Sequence, residues 1–205
     1  MSLTVQSISY DYNEHSLLTN ISFELGAGQW LFVKGANGSG KTTLLKLLTG
    51  FKSPHQGQIL WQGTPIQQQL SHYQQKIAWL GHTNGLKAEL TALENLRFNP
   101  AMQSTASIQN TLKRVGLKAQ QHHRVSTFSA GMKRRLALAR LCLSAAPLWI
   151  LDEPQTALDQ AGTQLLVELL TEHLQQQGSV ILSSHLPLKL VGFEPHYLEL
   201  SECEG

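Results

Sequence analysis

The sequence predicts an α/β domain with a mostly parallel sheet, an antiparallel β region near its N-terminus and an inserted helical region. Three observations lead to this fold class. Short apolar runs alternate with helical segments, which is the pattern of parallel β–α–β units. The composition changes over residues 83–127, where helical fragments are joined by polar loops. A hydrophobic fraction of 41% in 205 residues is sufficient for one packed core.

Strands are predicted where a short apolar or alternating run is bounded by turn residues. The predicted strands cover residues 3–8, 21–25, 30–34, 58–61, 77–80, 148–151, 179–183 and 197–200, the last at a sheet edge. Helices are predicted over residues 41–50, 90–98, 108–116, from near 131 onward, and 160–177. Glycine commonly ends a helix, so Gly50 and Gly178 are expected to end two of them.

These elements are divided between a core and a lobe. No strand is predicted between residues 83 and 127, whereas strands and helices alternate on both sides of that segment. We therefore expect a single domain over residues 1–205, with a core at about 1–82 and 136–205 and a helical lobe at about 83–135.

A glycine-rich segment follows the predicted strand at 30–34 and fits the pattern G-x-x-x-x-G-K-[ST] of phosphate-binding P-loops. Glycines allow phosphate oxygens to approach the backbone, and the following helix presents its electropositive N-terminus. Lys41 is expected to contact the β- and γ-phosphates, and the Thr42 hydroxyl to hold Mg²⁺. The predicted nucleotide-binding residues here are Gly35, Ala36, Asn37, Gly38, Ser39, Gly40, Lys41, Thr42 and Thr43.

Two adjacent acids, Asp152 and Glu153, directly follow the apolar run at 148–151. The carboxyl ends of parallel strands form the ligand-binding edge of an open α/β sheet, so both acids are expected to face the nucleotide. Asp152 is predicted to share the Mg²⁺ site with Thr42. Glu153 is predicted to orient and polarise the water that attacks the γ-phosphate.

With these motifs in this order, the sequence resembles the ATP-binding cassette (ABC) ATPases over nearly its whole length. Ser129, Ala130 and Gly131 stand where that family has its LSGGQ signature, and residues 156–159 resemble its D-loop. The resemblance implies a head-to-tail homodimer, in which the signature of one copy closes over ATP held by the P-loop of the other, with two ATP molecules at the interface. It also implies that His185 is the switch histidine that contacts the γ-phosphate.

Two further positions are assigned from the same resemblance. Tyr12 lies where the family has the aromatic residue that stacks on adenine, and Tyr10 is the alternative. Aligning residues 93–96 with the family places His82 at the Q-loop glutamine. That glutamine normally contacts Mg²⁺ and the attacking water, so His82 is a candidate for the same contacts.

Within the ABC ATPases, residues 81–96, 129–131 and 146–154 resemble the ATPase subunits of the bacterial cytochrome c maturation system, also called haem exporters. This resemblance implies a peripheral position on the cytoplasmic side of the inner membrane. The implied partners are the membrane subunit CcmB, an assembly with CcmC and CcmD and, indirectly, the haem chaperone CcmE. Hydrolysis would drive either haem export or release of the chaperone from its loading complex.

Three other functions are weighed against this one: the ATPase of another small ABC exporter, a soluble ABC ATPase without a transport role, and a nucleotide-binding module that does not hydrolyse. A net charge of only +2 argues against a nucleic-acid partner, and Glu153 with His185 argues for hydrolysis. No apolar run is long enough to span a membrane, so a channel must be supplied by a partner. The leucines of the lobe, Leu86, Leu90, Leu93 and Leu96, are expected either to pack internally or to dock on that partner.

Overall fold

The computed structural model describes residues 2–12, 15–98 and 104–201. In these residues the strands are β1 (Ser2–Tyr12), β2 (His15–Gly26), β3 (Trp30–Gly35), β4 (Gln56–Trp61), β5 (Thr64–Pro65), β6 (Ile77–Leu80), β7 (Leu148–Asp152), β8 (Ser179–Ser183) and β9 (His196–Leu200). The α-helices are α1 (Lys41–Leu48), α2 (Leu70–Gln74), α3 (Ala92–Arg97), α4 (Thr105–Arg114), α5 (Ala130–Cys142) and α6 (Gln160–Gln175).

The central sheet has the strand order β6-β7-β8-β3-β9, and every neighbouring pair in it is parallel. Two of its three inner strands, β7 and β8, are buried along their full length. Continuous apolar runs are what a parallel sheet covered on both faces requires. The predicted α/β class with a mostly parallel sheet is confirmed, and β9 lies at the edge.

Alternate side chains along the strands of the central sheet belong to two separate hydrophobic cores. On β7, Trp149 and Leu151 join the cluster that packs against α5 and α6. Leu148 and Ile150 point to the opposite face and join the cluster that contains α1 and the N-terminal strands. This alternation follows from the period of two in an extended strand. It holds the P-loop helix and the helical region on opposite faces of one sheet.

The N-terminal strands form a second, antiparallel sheet with the order β2-β1-β4-β5, as the predicted fold class requires. Strands β1 and β2 are longer than the predicted segments 3–8 and 21–25. Their outer ends are polar and exposed, and Ser7 and Asn20 have positive φ where the register shifts. These irregularities interrupt the apolar alternation by which a strand is recognised.

The regular elements between residues 83 and 135, in the part that is described, are helical. Thr91 and Glu94 form a capping box at the start of α3. The helix α5 runs continuously across the predicted core–lobe boundary at 135/136, and the division into core and lobe stays a prediction. In the lobe, Leu93 and Leu96 are buried and Leu86 and Leu90 are half-buried, so this leucine stripe packs internally.

Every helix among the described residues is too short or too polar to traverse a bilayer.

One half-buried histidine of α6 packs its ring against the core. The imidazole of His173 stacks on the indole of Trp149, with 4.0 Å between ring centroids and 12° between ring planes. Burial lowers the pKa of His173 from its ordinary value of 6.5 to about 4. The unfolded chain therefore takes up a proton at pH values where the folded chain does not, and acidification in that window favours unfolding.

We predict that this histidine makes the free energy of unfolding fall between about pH 6.5 and 4, with a contribution of at most about 1.4 kcal/mol per pH unit. The substitution His173→Gln removes the titrating group. Urea unfolding of both proteins at several pH values is the measurement. The wild type should lose stability on acidification more steeply than the variant, and parallel pH dependences would contradict the prediction.

Candidate functional site

The glycine-rich loop connects β3 to α1 at the carboxyl end of the central sheet. Gly38 and Gly40 have φ values of 87° and 90°, a region that side-chain-bearing residues avoid. A Cβ added at Gly40 would lie 2.9 Å from the side chain of Leu18, whereas one at Gly38 would meet nothing within 4 Å. Gly40 therefore serves close packing, and Gly38 leaves the outer side of the loop open for a ligand.

Lys41 begins α1 and folds back over its own loop. Its ammonium donates hydrogen bonds to the carbonyl oxygens of Gly35 and Ala36, both at 2.7 Å. The side chain is 8% exposed and lines the open side of the loop. The loop thus holds a fixed positive charge in place without a ligand, while the predicted contact of Lys41 with phosphates stays a prediction.

Asp152 at the end of β7 joins the loop to the sheet. One carboxylate oxygen accepts a hydrogen bond from the Thr42 hydroxyl at 2.8 Å, and the other accepts one from Ser183 at 2.7 Å. Asp152 is 2% exposed, and its oxygens and the Thr42 hydroxyl are the hard ligands that Mg²⁺ prefers. The pair that the sequence predicted for Mg²⁺ is therefore in contact, and its donor set fits that ion.

Glu153 lies in a strained turn immediately after β7. Its φ is +48°, which costs energy for a residue with a side chain and recurs at functional sites. One carboxylate oxygen accepts a hydrogen bond from the His185 backbone N–H at 3.3 Å. The other lies 3.5 Å from Nε2 of His185 and accepts no hydrogen bond from the described residues. A carboxylate that lines a pocket next to an imidazole is equipped to orient a water molecule.

These groups line one open pocket of about 620 Å³, a size that suits a nucleotide. The lining residues are Tyr12, Leu17, Asn37, Gly38, Gly40, Lys41, Thr42, Thr43, His82, Asp152, Glu153, Thr156 and His185. Most of the predicted site residues are therefore brought together. Gly35, Ala36 and Ser39 do not line the pocket, although the carbonyls of Gly35 and Ala36 contact Lys41. The buried Ser39 hydroxyl has no hydrogen-bond partner among the described residues.

The predicted signature residues lie elsewhere. Ser129 caps α5 by accepting a hydrogen bond from the N–H of Met132, and Ala130 and Gly131 form the first turn. Ser129 and Gly131 line a separate shallow pocket of about 410 Å³. A Cβ at Gly131 would come within 3.0 Å of the Ala157 carbonyl, which accounts for glycine there. Within one chain, the start of α5 does not line the pocket that holds Lys41.

The structure places the two tyrosines near the N-terminus in different surroundings. Tyr12 is 57% exposed and lines the pocket. Tyr10 is half-buried outside it, stacked on His55 at 4.8 Å and hydrogen-bonded through its hydroxyl to Lys52 at 2.7 Å. Of these two rings, that of Tyr12 is exposed to the pocket and that of Tyr10 contacts His55 and Lys52, so the geometry favours Tyr12 over Tyr10.

Two residues that sequence reasoning missed contribute to this region. Leu17 on β2 lines the pocket, and no motif marks it. Arg134 on α5 is 2% exposed and donates hydrogen bonds to the turn that carries Glu153. The sequence did contain a signal for Arg134. This arginine lies on the apolar face of α5, because Ala137, Leu138 and Leu141 follow it by three, four and seven residues. A charge on an apolar face needs hydrogen-bond partners.

Comparison with known proteins agrees with this geometry. The sequence profile of the ABC transporter family matches residues 18–156. This chain belongs to the ABC transporter family and is an ATPase of that type. Over 203 residues it is 43% identical to the cytochrome c biogenesis ATP-binding export protein CcmA of Escherichia coli O157:H7, an alignment that covers 99% of this chain and 98% of that protein.

Solved structures share the fold. An ABC transporter ATP-binding protein from Pyrococcus furiosus superposes with a TM-score of 0.84 at 25% identity, over 98% of each chain. An ATP-binding cassette solved as a dimer in a post-hydrolysis state with ADP and Pi gives a TM-score of 0.85 over 97% of this chain and 94% of that one. Its identity is 21%, so this likeness concerns the fold alone. The predicted family, fold and ATP hydrolysis are confirmed.

We predict that Tyr12→Ala weakens ATP binding by about five- to 150-fold, because an aromatic ring stacked on a base contributes about 1–3 kcal/mol. Tyr10→Ala is the matched control and should leave the dissociation constant unchanged. Titration with a fluorescent ATP analogue measures both. Equal losses in the two variants, or a loss in Tyr10→Ala alone, would refute the assignment.

Proposed function

We propose that this chain hydrolyses ATP in a head-to-tail dimer with two ATP molecules at the interface, and that the cycle energises a separate membrane subunit in c-type cytochrome biogenesis. The pocket carries the proposal, because it places a phosphate-binding loop on one wall and Asp152, Glu153 and His185 on the other. The full-length similarity to CcmA supports the biological role.

Each pocket residue has a role that its position supports. Lys41 supplies the charge that contacts the phosphates once it leaves its loop carbonyls. Glu153 orients the attacking water through its carboxylate and polarises the O–H bond. His185, beside Glu153, donates a hydrogen bond to the γ-phosphate. His82 faces the same pocket and assists in positioning the water.

Thr42 and Asp152 would hold Mg²⁺, and their direct contact supports this role. When bound, Mg²⁺ would neutralise charge that develops on the phosphate oxygens during transfer. Asp152 suits this task because its buried carboxylate accepts hydrogen bonds from two neutral hydroxyls and forms no ion pair with a described side chain.

The position of the signature residues supports a dimer. Ser129, Ala130 and Gly131 open a helix whose N-terminus suits a phosphate, yet they do not line the pocket of their own chain. A second copy, related by two-fold symmetry, can bring the start of its α5 to this pocket and receive the same contact in return. Each ATP is then enclosed by residues from both chains.

A groove beside the His82 loop is the proposed contact for the membrane subunit. It has a volume of about 640 Å³ and lies between β6, α2 and α5. Phe51 and Trp79 meet edge to face at 6.3 Å on one side, and Arg140 on the other side donates a hydrogen bond to Gly85 at 2.7 Å. Among the described residues that line it there is a cation and no acid. This chemistry fits an amphipathic helical segment with an acidic residue.

We assign that segment to CcmB, in an assembly with CcmC and CcmD, and place the ATPase peripherally on the cytoplasmic side of the bacterial inner membrane. The cargo step is haem export or release of the chaperone CcmE from its loading complex. The alternative is the ATPase of another small exporter, which would use the same pocket and groove with a different membrane subunit.

We predict that Glu153→Gln with ATP and Mg²⁺ forms a stable dimer and hydrolyses ATP at least about 100-fold more slowly than the wild type, because a water-orienting base is lost. Lys41→Ala should remain a monomer under the same conditions, because it lacks the charge that binds the phosphates. Size-exclusion chromatography with light scattering, together with phosphate release, measures both properties. A monomer for both variants would contradict the dimer.

We also predict that Phe51→Glu loses the membrane subunit. Phe51 is 57% exposed in the groove, and a carboxylate there opposes both the apolar contact and an acidic partner. The matched control is Phe98→Glu, because Phe98 is 66% exposed but does not line the groove. Each variant is tagged and purified from native membranes, and the co-purifying proteins are identified.

The wild type and Phe98→Glu should recover CcmB with CcmC and CcmD, and Phe51→Glu should not. Recovery of a different permease would leave the ATPase mechanism unchanged and would favour the alternative, another small exporter. Recovery of no membrane protein by the wild type would remove the transport proposal. Equal recovery by both variants would move the contact away from the groove.

A further inference from the structure

The side chain of Arg134 is a buried cation whose hydrogen-bonding capacity is completely used. A guanidinium has five N–H donors in a planar fork, and each of them here is matched by an oxygen. All five acceptors are neutral. They are Pro154 O at 3.1 Å, Gly81 O at 3.0 Å, Asn84 Oδ1 at 3.0 Å, Asp152 O at 3.0 Å and Glu153 O at 2.6 Å.

Burying a guanidinium among neutral acceptors costs free energy, so its position calls for a structural explanation. Burial lowers the pKa of Arg134, although the charges of Asp152 and Glu153 act in the opposite direction. The neighbouring Arg135 uses a simpler contact, a half-buried guanidinium paired with the exposed Asp159 at 2.6 Å. Arg134 instead donates only to carbonyl and amide oxygens. A planar fork that satisfies several loop oxygens at once fixes their relative positions.

Those oxygens belong to two loops that face the pocket. Three consecutive carbonyls, from Asp152 to Pro154, point at the same guanidinium, and the residue in the middle is Glu153 with its φ of +48°. The other two acceptors, Gly81 and Asn84, lie on either side of His82. One side chain therefore stabilises the strained turn of Glu153 and sets its position relative to His82.

Arg134 is also joined rigidly to the start of α5. It is the fifth residue of that helix, whose cap is Ser129. With a rise of about 1.5 Å per residue, the guanidinium is anchored roughly one and a half turns from the helix N-terminus. A helix shifts as a unit over so short a distance, so a displacement at Ser129 moves the donors of Arg134.

We propose that Arg134 is a positioning residue that couples the two ATP sites of the dimer. ATP held by the partner copy contacts the start of α5, and Arg134 transmits the resulting shift to Glu153 and His82 in the pocket of its own chain. The inference rests on the dimer proposed above. Hydrolysis at one site then depends on occupancy of the other.

The test is Arg134→Lys, which keeps the positive charge but cannot reach both loops with one ammonium. The matched control is Arg114→Lys, because Arg114 forms an exposed ion pair with Glu172 and neither residue lines the nucleotide pocket. Thermal melting and steady-state hydrolysis over a range of ATP concentrations are measured for the full-length proteins. We expect a kcat about 10- to 100-fold below the wild type, a KM within about threefold, and a Hill coefficient reduced toward 1.

A second variant removes a single acceptor and leaves the arginine in place. Asn84→Ala should lower kcat several-fold in the same direction, and it keeps the proposal testable if Arg134→Lys fails to fold. Wild-type kcat and Hill coefficient in a folded Arg134→Lys, or in Asn84→Ala when the lysine variant is unfolded, would overturn the inference. A raised KM with unchanged kcat would overturn it as well.

A combined variant separates this inference from the dimer itself. Glu153→Gln with Arg134→Lys should still form the ATP-dependent dimer, because neither substitution removes the loop or the cap of α5. If Glu153→Gln alone stays monomeric, the proposed dimer is wrong, and the proposed coupling between its two sites is wrong as well. If the single variant dimerises and the combined one does not, Arg134 is needed for assembly and the positioning role is wrong.

Discussion

The carboxylate of Asp152 is the group on which the geometry of the site depends. It ends β7 in the central sheet, and its two oxygens accept hydrogen bonds from the first turn of α1 and from the end of β8. A buried carboxylate must have its acceptors satisfied, so the three elements keep one relative position. The strand ends, the P-loop helix and the turn of Glu153 are therefore held together before any ligand arrives.

Arg134 complements Asp152 from the other side of the same turn. The carboxylate accepts from hydroxyls and the guanidinium donates to carbonyls, so neither charge is cancelled by a direct side-chain ion pair between them. The carboxylate of Asp152 contacts the P-loop helix and β8, and Arg134 donates to backbone carbonyls and to the Asn84 side-chain oxygen. The turn of Glu153 is therefore held between the central sheet and α5. A movement of α5 can shift the position of this turn.

Local motifs were enough to predict the P-loop, the paired acids and the start of α5, because each depends on residues adjacent in sequence. The contact between Thr42 and Asp152 could also be anticipated, because parallel strands end at one sheet edge. Arg134 could not be placed, because its acceptors lie in two loops that are distant in the chain. The full extent of β1 and β2 was obscured by bulges, and the choice between Tyr12 and Tyr10 required the contacts of His55 and Lys52.

The fold-back of Lys41 has a consequence for the kinetics of nucleotide exchange. Its two carbonyl contacts support the shape of the empty loop, so the loop does not have to be rebuilt for each ATP. A phosphate that recruits Lys41 must first replace hydrogen bonds that are each worth about 1.5–3 kcal/mol for a charged donor. The lost hydrogen bonds therefore offset much of the attraction between the Lys41 ammonium and the phosphate. When the phosphate leaves, the ammonium can again donate to the same two carbonyls. By competing with the phosphate for Lys41, these carbonyls would make product release easier.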